Sequence, residues 1–95
     1  LKTLLTTQHN AWVHLVATVL TILVSIYYEI EISDWISIIV VISTVWVAEA
    51  LNTSMEFLSD AAVPEIHPLI EKAKDVAAGA VFISAITAVI IGLLV

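Results

Sequence analysis

Residues 35–60 read WISIIVVISTVWVAEALNTSMEFLSD. Trp35 to Ala48 is a run of 14 residues without a formal charge, and neither Gly nor Pro interrupts the stretch before Asp60. A helix needs about 20 apolar residues to cross a hydrocarbon layer of about 30 Å. Fourteen is short for that, so the span must continue into Glu49, Asn52 and Glu56. The stretch therefore predicts one long helix over residues 34–61 whose second half carries a polar stripe. At about 100° per residue, Glu49, Glu56 and Asp60 fall within about 40° of one another, and Asn52 lies about 60° to one side.

The flanking sequence repeats the membrane signal. Residues 11–28 form 18 positions with one His and no formal charge, and residues 76–95 form 20 positions with no charge at all. Both reach spanning length, and the expected fold class is all-α, with three transmembrane helices over about 9–28, 34–61 and 69–95. Composition agrees. The chain has 95 residues, 61% of them hydrophobic and 13% charged, with a mean hydropathy of +1.10. Soluble domains carry about 25% charged residues, so the composition argues strongly against a soluble monomer. Two Gly and two Pro argue against disorder and against a turn-rich β fold. Zero Cys removes disulfides, zinc-thiolate sites and thiol nucleophiles. A net charge of −6 with only three basic residues, all Lys, argues against nucleic-acid binding.

A secretory signal peptide would need a small-residue cleavage site after the first apolar run, and Tyr27-Tyr28-Glu29-Ile30-Glu31 offers none. Ser33 or Asp34 is the expected N-cap of the second helix. Pro64 and Pro68 punctuate the next connection, Pro68 at the position a helix tolerates in its first turn. Lys2, Lys72 and Lys74 fall on one side of a three-span layout and Glu29, Glu31 and Asp34 on the other, so the positive-inside rule places the N-terminus in the cytoplasm. Trp12, Trp35, Tyr27 and Tyr28 lie near helix ends, as interfacial anchors do. His14 is expected to hydrogen-bond at headgroup level or to a neighbouring helix, and Gly79 and Gly92 to permit close helix packing.

Ionisable residues inside a membrane helix are costly and by default mark function. One alternative is a polar clasp between helices; three acids on one stripe near the cytoplasmic side favour a working site. Clustered carboxylates raise one another's pKa and welcome a divalent cation, and Mg2+ usually takes one or two carboxylates together with substrate phosphates. A remaining carboxylate can accept a proton from a hydroxyl. With Lys72 and Lys74 close behind, beside Glu65, His67 and Asp75, these are the parts of a phosphoryl-transfer site. No Walker-type or kinase-type Gly-rich loop is present. The residues alone do not decide which Glu would be the base.

The run Glu49-Ala50-Leu51-Asn52-Thr53-Ser54-Met55-Glu56 with Asp60, followed by Glu65-Ile66-His67-Pro68-Leu69 and Ala73-Lys74-Asp75-Val76-Ala77-Ala78-Gly79-Ala80-Val81, resembles the two signatures of the small prokaryotic diacylglycerol kinase and undecaprenol kinase family. The resemblance covers essentially the whole chain. It implies a homotrimer of three-helix subunits in the bacterial inner membrane, transferring the γ-phosphoryl of MgATP to a lipid alcohol near the cytoplasmic surface. It implies Glu49 as general base, Glu56 as a ligand of Mg2+, Asn52 in support of that pair, and Asp60 at the nucleotide end. Glu65, Ile66 and His67 would contact ATP, and Lys74 would meet its phosphates with Asp75 nearby.

The chain departs from the family in places. The family usually carries a second metal-ligating Glu at the start of its first spanning helix; here Gln8 stands there, a weaker ligand that leaves His9 or a water to compensate. Trp12 occupies the place of a family Arg. Ile66 replaces an aromatic residue. Of the family's basic amphipathic surface helix only Lys2 remains, and the start at Leu1 leads us to expect a segment upstream. Two other functions fit the residues: a catalytically weak relative serving as a structural subunit, and an oligomer conducting cations or protons along the Glu49–Asp60 stripe. The Ala77-Ala78-Gly79-Ala80 run leans toward the undecaprenol branch.

Overall fold

The computed structural model describes residues 2–7, 9–62 and 65–95. Among the described residues four helices follow one another: α1 (Lys2–Thr7), α2 (His9–Tyr27), α3 (Ile32–Ala62) and α4 (Pro68–Leu94). Of these, α2, α3 and α4 are long and apolar enough to cross a membrane. α1 is a short element that the sequence reading did not include, and the Trp12 indole of α2 donates to the Leu5 carbonyl.

The spans are rich in β-branched residues, which in water would favour strands. In hydrocarbon every backbone polar group must be satisfied within the segment, and this selects helix. Several hydroxyls obey the same constraint. Thr18, Thr21, Ser25, Thr44 and Thr87 each donate to the carbonyl four residues earlier, at 2.7–2.9 Å, so none meets lipid unpaired.

Helix ends are set by local chemistry. Glu29 N–H donates to the Ile26 carbonyl at 3.1 Å and Ile30 N–H to the Ser25 carbonyl at 3.4 Å. Glu29 itself sits at φ 51°. This is a Schellman closure of α2 with Glu29 at the left-handed position that glycine prefers. Glu29→Gly is expected to raise stability by about 0.5–1 kcal/mol through relief of that strain, measurable as a higher unfolding midpoint in detergent. α3 begins at Ile32 rather than after Ser33 or Asp34, so the expected N-cap is corrected. Asp34 lies within the first turn, where its charge complements the helix dipole. α4 opens on Pro68 with His67 as its N-cap, the imidazole Nδ1 accepting from Leu69 N–H at 3.1 Å.

α3 and α4 run antiparallel and pack along much of their length, while α2 touches α3 far less. Among the described residues the buried apolar ones are few: Leu4, Ala11, Ile38 and Val45. α4 has no buried residue among those described. A Cβ placed at Gly79 or Gly92 would meet nothing within 4 Å. The close packing expected at these glycines is therefore absent within one chain: both face open space, Gly92 beside cavities it lines with residues of α2 and α3.

Candidate active site

The buried face of α3 changes character along its length. It begins with Ile38 and Val45 and continues with Glu49, Thr53 and Ser59. The steps of seven, four and four residues keep Ile38 to Thr53 on one side of the helix. Glu49 is only 2% exposed and is the largest fully buried side chain among the described residues.

Depth follows from helix geometry. With Trp35 at one edge of a layer of about 30 Å, a rise of about 1.5 Å per residue puts Glu49 about 21 Å in, still inside hydrocarbon. The same measure brings Glu56 to about 32 Å, at the opposite edge, and Asp60 to about 38 Å, in water. Exposure increases in the same order: Glu49 is buried, Glu56 half-buried and Asp60 exposed. One helix face thus carries three carboxylates from an apolar interior to the aqueous side.

The predicted residues form pairs. Glu49 Oε2 lies 3.5 Å from His14 Nε2 on α2, an interhelical ion-pair distance rather than a hydrogen bond. Asn52 Nδ2 donates to Glu56 Oε1 at 3.5 Å, one turn apart on α3. Lys74 Nζ donates to Asp60 Oδ1 at 3.3 Å and ties α4 to the end of α3. Glu65, Ile66 and His67 are exposed in the connection before α4, and Asp75 is exposed on α4. His67 spends Nδ1 on its own helix cap. Gln8 lies outside the described residues.

The Asn52–Glu56 pair leaves one amide oxygen unused. Asn52 Oδ1 is buried with no hydrogen-bond partner, as is Thr53 Oγ1. An unsatisfied buried polar atom costs about 1–3 kcal/mol, so these atoms await one. Among the described residues no three His, Cys, Asp or Glu side chains converge as a complete metal cage. One carboxylate and one amide oxygen suit Mg2+, which fills its remaining positions with water and substrate phosphates.

Between α3 and α4 a cavity of about 780 Å³ opens along the hairpin, lined mostly by apolar residues with Thr44, Asn52 and Lys72 as its polar members. Sequence reasoning did not single out Trp46 or Thr18. Their signal was spacing, since Trp46 precedes Glu49 by three residues and Thr18 follows His14 by four.

The fold is thus a bundle of three helices long and apolar enough to span a membrane, with a carboxylate ladder leading from its buried interior to Lys74 at the exposed end. The chain belongs to the prokaryotic diacylglycerol kinase family, whose model matches residues 1–95. It is 36% identical over 89 residues to the undecaprenol kinase of Bacillus subtilis (strain 168), covering 94% of this chain and 72% of that one. No solved structure matches it significantly. The protein is thus a lipid kinase of the diacylglycerol and undecaprenol kinase type.

Proposed function

We propose that residues 1–95 form one catalytic membrane domain that transfers the γ-phosphoryl of MgATP to undecaprenol or diacylglycerol at the cytoplasmic face of the bacterial inner membrane. The observation that carries this reading is the axial order of Glu49, Glu56 and the Asp60–Lys74 pair, from buried to exposed. A lipid alcohol approaches from the bilayer and a nucleotide from water, and this order brings each to the groups suited to it.

Glu49 accepts the proton of the lipid hydroxyl. The hydroxyl oxygen bonds to the γ-phosphorus as the bond to the bridging oxygen of ADP breaks. Glu56 and the Asn52 carbonyl oxygen would hold Mg2+, with Gln8 as a further ligand. When bound, Mg2+ neutralises charge on the β- and γ-phosphates. Asp60 keeps the Lys74 ammonium near the water boundary, where it meets phosphate oxygens. Glu65, Ile66, His67 and Asp75 contact the nucleotide from the connection and the first turns of α4. Positioning and charge neutralisation then supply most of the acceleration.

A homotrimer is part of the proposal. The scant apolar interior of one chain, the open space beside Gly79 and Gly92 and the exposed length of α4 support it. The N-terminus is placed in the cytoplasm with Lys72 and Lys74 on the same side, following the positive-inside rule.

The test is a phosphorylation assay with MgATP on purified protein, given undecaprenol and diacylglycerol in parallel. Lipid-dependent ADP release with either supports the reading. No turnover with either, from an intact oligomer, overturns it in favour of a structural subunit. Lys74→Met is expected to raise KM for ATP by about 10- to 100-fold, the worth of a charge-assisted phosphate contact of about 1.5–3 kcal/mol. Asp60→Asn has a smaller effect, since an exposed ion pair is worth less than about 1 kcal/mol. Initial-rate kinetics against ATP separate the two.

A further inference from the structure

We infer that His14 is a positioning residue for Glu49, fixing the base through one carboxylate oxygen so that the other faces the lipid hydroxyl. This rests on the kinase reading above and adds to it a residue from a different helix. His14 Nε2 meets Glu49 at Oε2, 3.5 Å away, which leaves Oε1 for the substrate.

His14 is itself held from two directions. The Trp46 ring stands edge-on to the imidazole, with centroids 6.2 Å apart and planes at 62°. Trp46 Nε1 donates to Thr18 Oγ1 at 3.0 Å, and the Thr18 hydroxyl donates to the His14 carbonyl at 2.7 Å. The His14 side chain is 16% exposed and that of Glu49 is 2% exposed. Two residues of α2 one turn apart thus interlock with two residues of α3 three apart, at the depth of the buried carboxylate.

The placement matters because the rest of the α2–α3 contact is sparse. A glutamate held from its own helix alone would sample several rotamers. A mispositioned reacting group can cost about 100-fold in rate. Of the other charged groups on α3, Asp34 lies at the far end of the helix, and Glu56 and Asp60 lie two and three turns from Glu49 and pair with Asn52 and Lys74 instead. His14 is therefore the described side chain available to orient the base.

The experiment compares wild type, His14→Ala, His14→Gln, Glu49→Gln and the double variant His14→Ala/Glu49→Gln as full-length purified protein in detergent. Readouts are kcat, KM for ATP, unfolding midpoint and oligomer size. Wild-type turnover with undecaprenol or diacylglycerol comes first, and its absence counts against the kinase reading rather than against this role. Given turnover, His14→Ala is expected to lower kcat by about 10- to 100-fold with KM for ATP within about twofold. His14→Gln, which keeps an N–H donor, is expected to recover much of the loss. In the Glu49→Gln background His14→Ala is expected to change the residual rate less than about twofold, since both substitutions break one unit. Full kcat in His14→Ala overturns the inference. So do losses that multiply in the double variant, and a loss that tracks a lowered midpoint or a broken oligomer and is not recovered by Gln.

Discussion

Glu49→Gln lowers kcat for lipid phosphorylation by about 10²- to 10⁴-fold, the usual contribution of a positioned general base, while the protein keeps its oligomer size and unfolding midpoint. The amide keeps the volume and one carbonyl oxygen, so the packing against His14 changes little. It cannot accept the hydroxyl proton. Because Glu49 is sealed from water, no solvent base can reach the same place to compensate. KM for ATP moves little, since the nucleotide end of the stripe lies two to three turns away. The check is steady-state kinetics on purified variant with size-exclusion chromatography alongside. Turnover by Glu49→Gln at the wild-type rate removes the base assignment and leaves Glu56 as the remaining buried-side carboxylate to test.

The helices were legible because charge vanishes over whole membrane thicknesses at 11–28 and 76–95. Between them, the spacing of Glu49, Glu56 and Asp60 can be read by counting residues around a helix. What counting cannot deliver is contact between helices. His14 and Glu49 are 35 positions apart, and only folding brings their depths into register. Trp46 reads in sequence as one more apolar residue of a span, yet its indole N–H finds Thr18 across the helix gap. The same limit explains the glycines. Small residues announce close packing, but the sequence does not say with what, and within this chain Gly79 and Gly92 face open space. The start of α3 was missed by two residues because Ser33 and Asp34 are good caps, whereas here the helix already runs through them. Asp34 serves its first turn by charge instead.

Glu56→Gln is the second large effect, and it differs in kind. Glu56 is half-buried at the aqueous end of the ladder and accepts from the Asn52 amide. Asn52 presents its other polar atom, Oδ1, buried and unpartnered. Glu56→Gln removes the carboxylate charge from the residue that pairs with Asn52. The Mg2+ concentration for half-maximal activity is therefore expected to rise by at least about tenfold, with kcat/KM down by about 10²- to 10³-fold at fixed Mg2+. The contrast with Glu49→Gln is diagnostic. Excess Mg2+ recovers part of the Glu56→Gln loss and none of the Glu49→Gln loss, because mass action refills a weakened cation site but cannot restore a missing base. Asn52→Leu, which deletes the orphaned oxygen and the hydrogen bond together, shifts the Mg2+ requirement in the same direction by a smaller factor, since it removes a dipole rather than a charge. Titration of activity against Mg2+ for the three variants decides the matter. An unchanged Mg2+ requirement in Glu56→Gln takes the metal away from this face of α3, and an equal response of Glu49→Gln and Glu56→Gln to added Mg2+ dissolves the division of labour between the two glutamates.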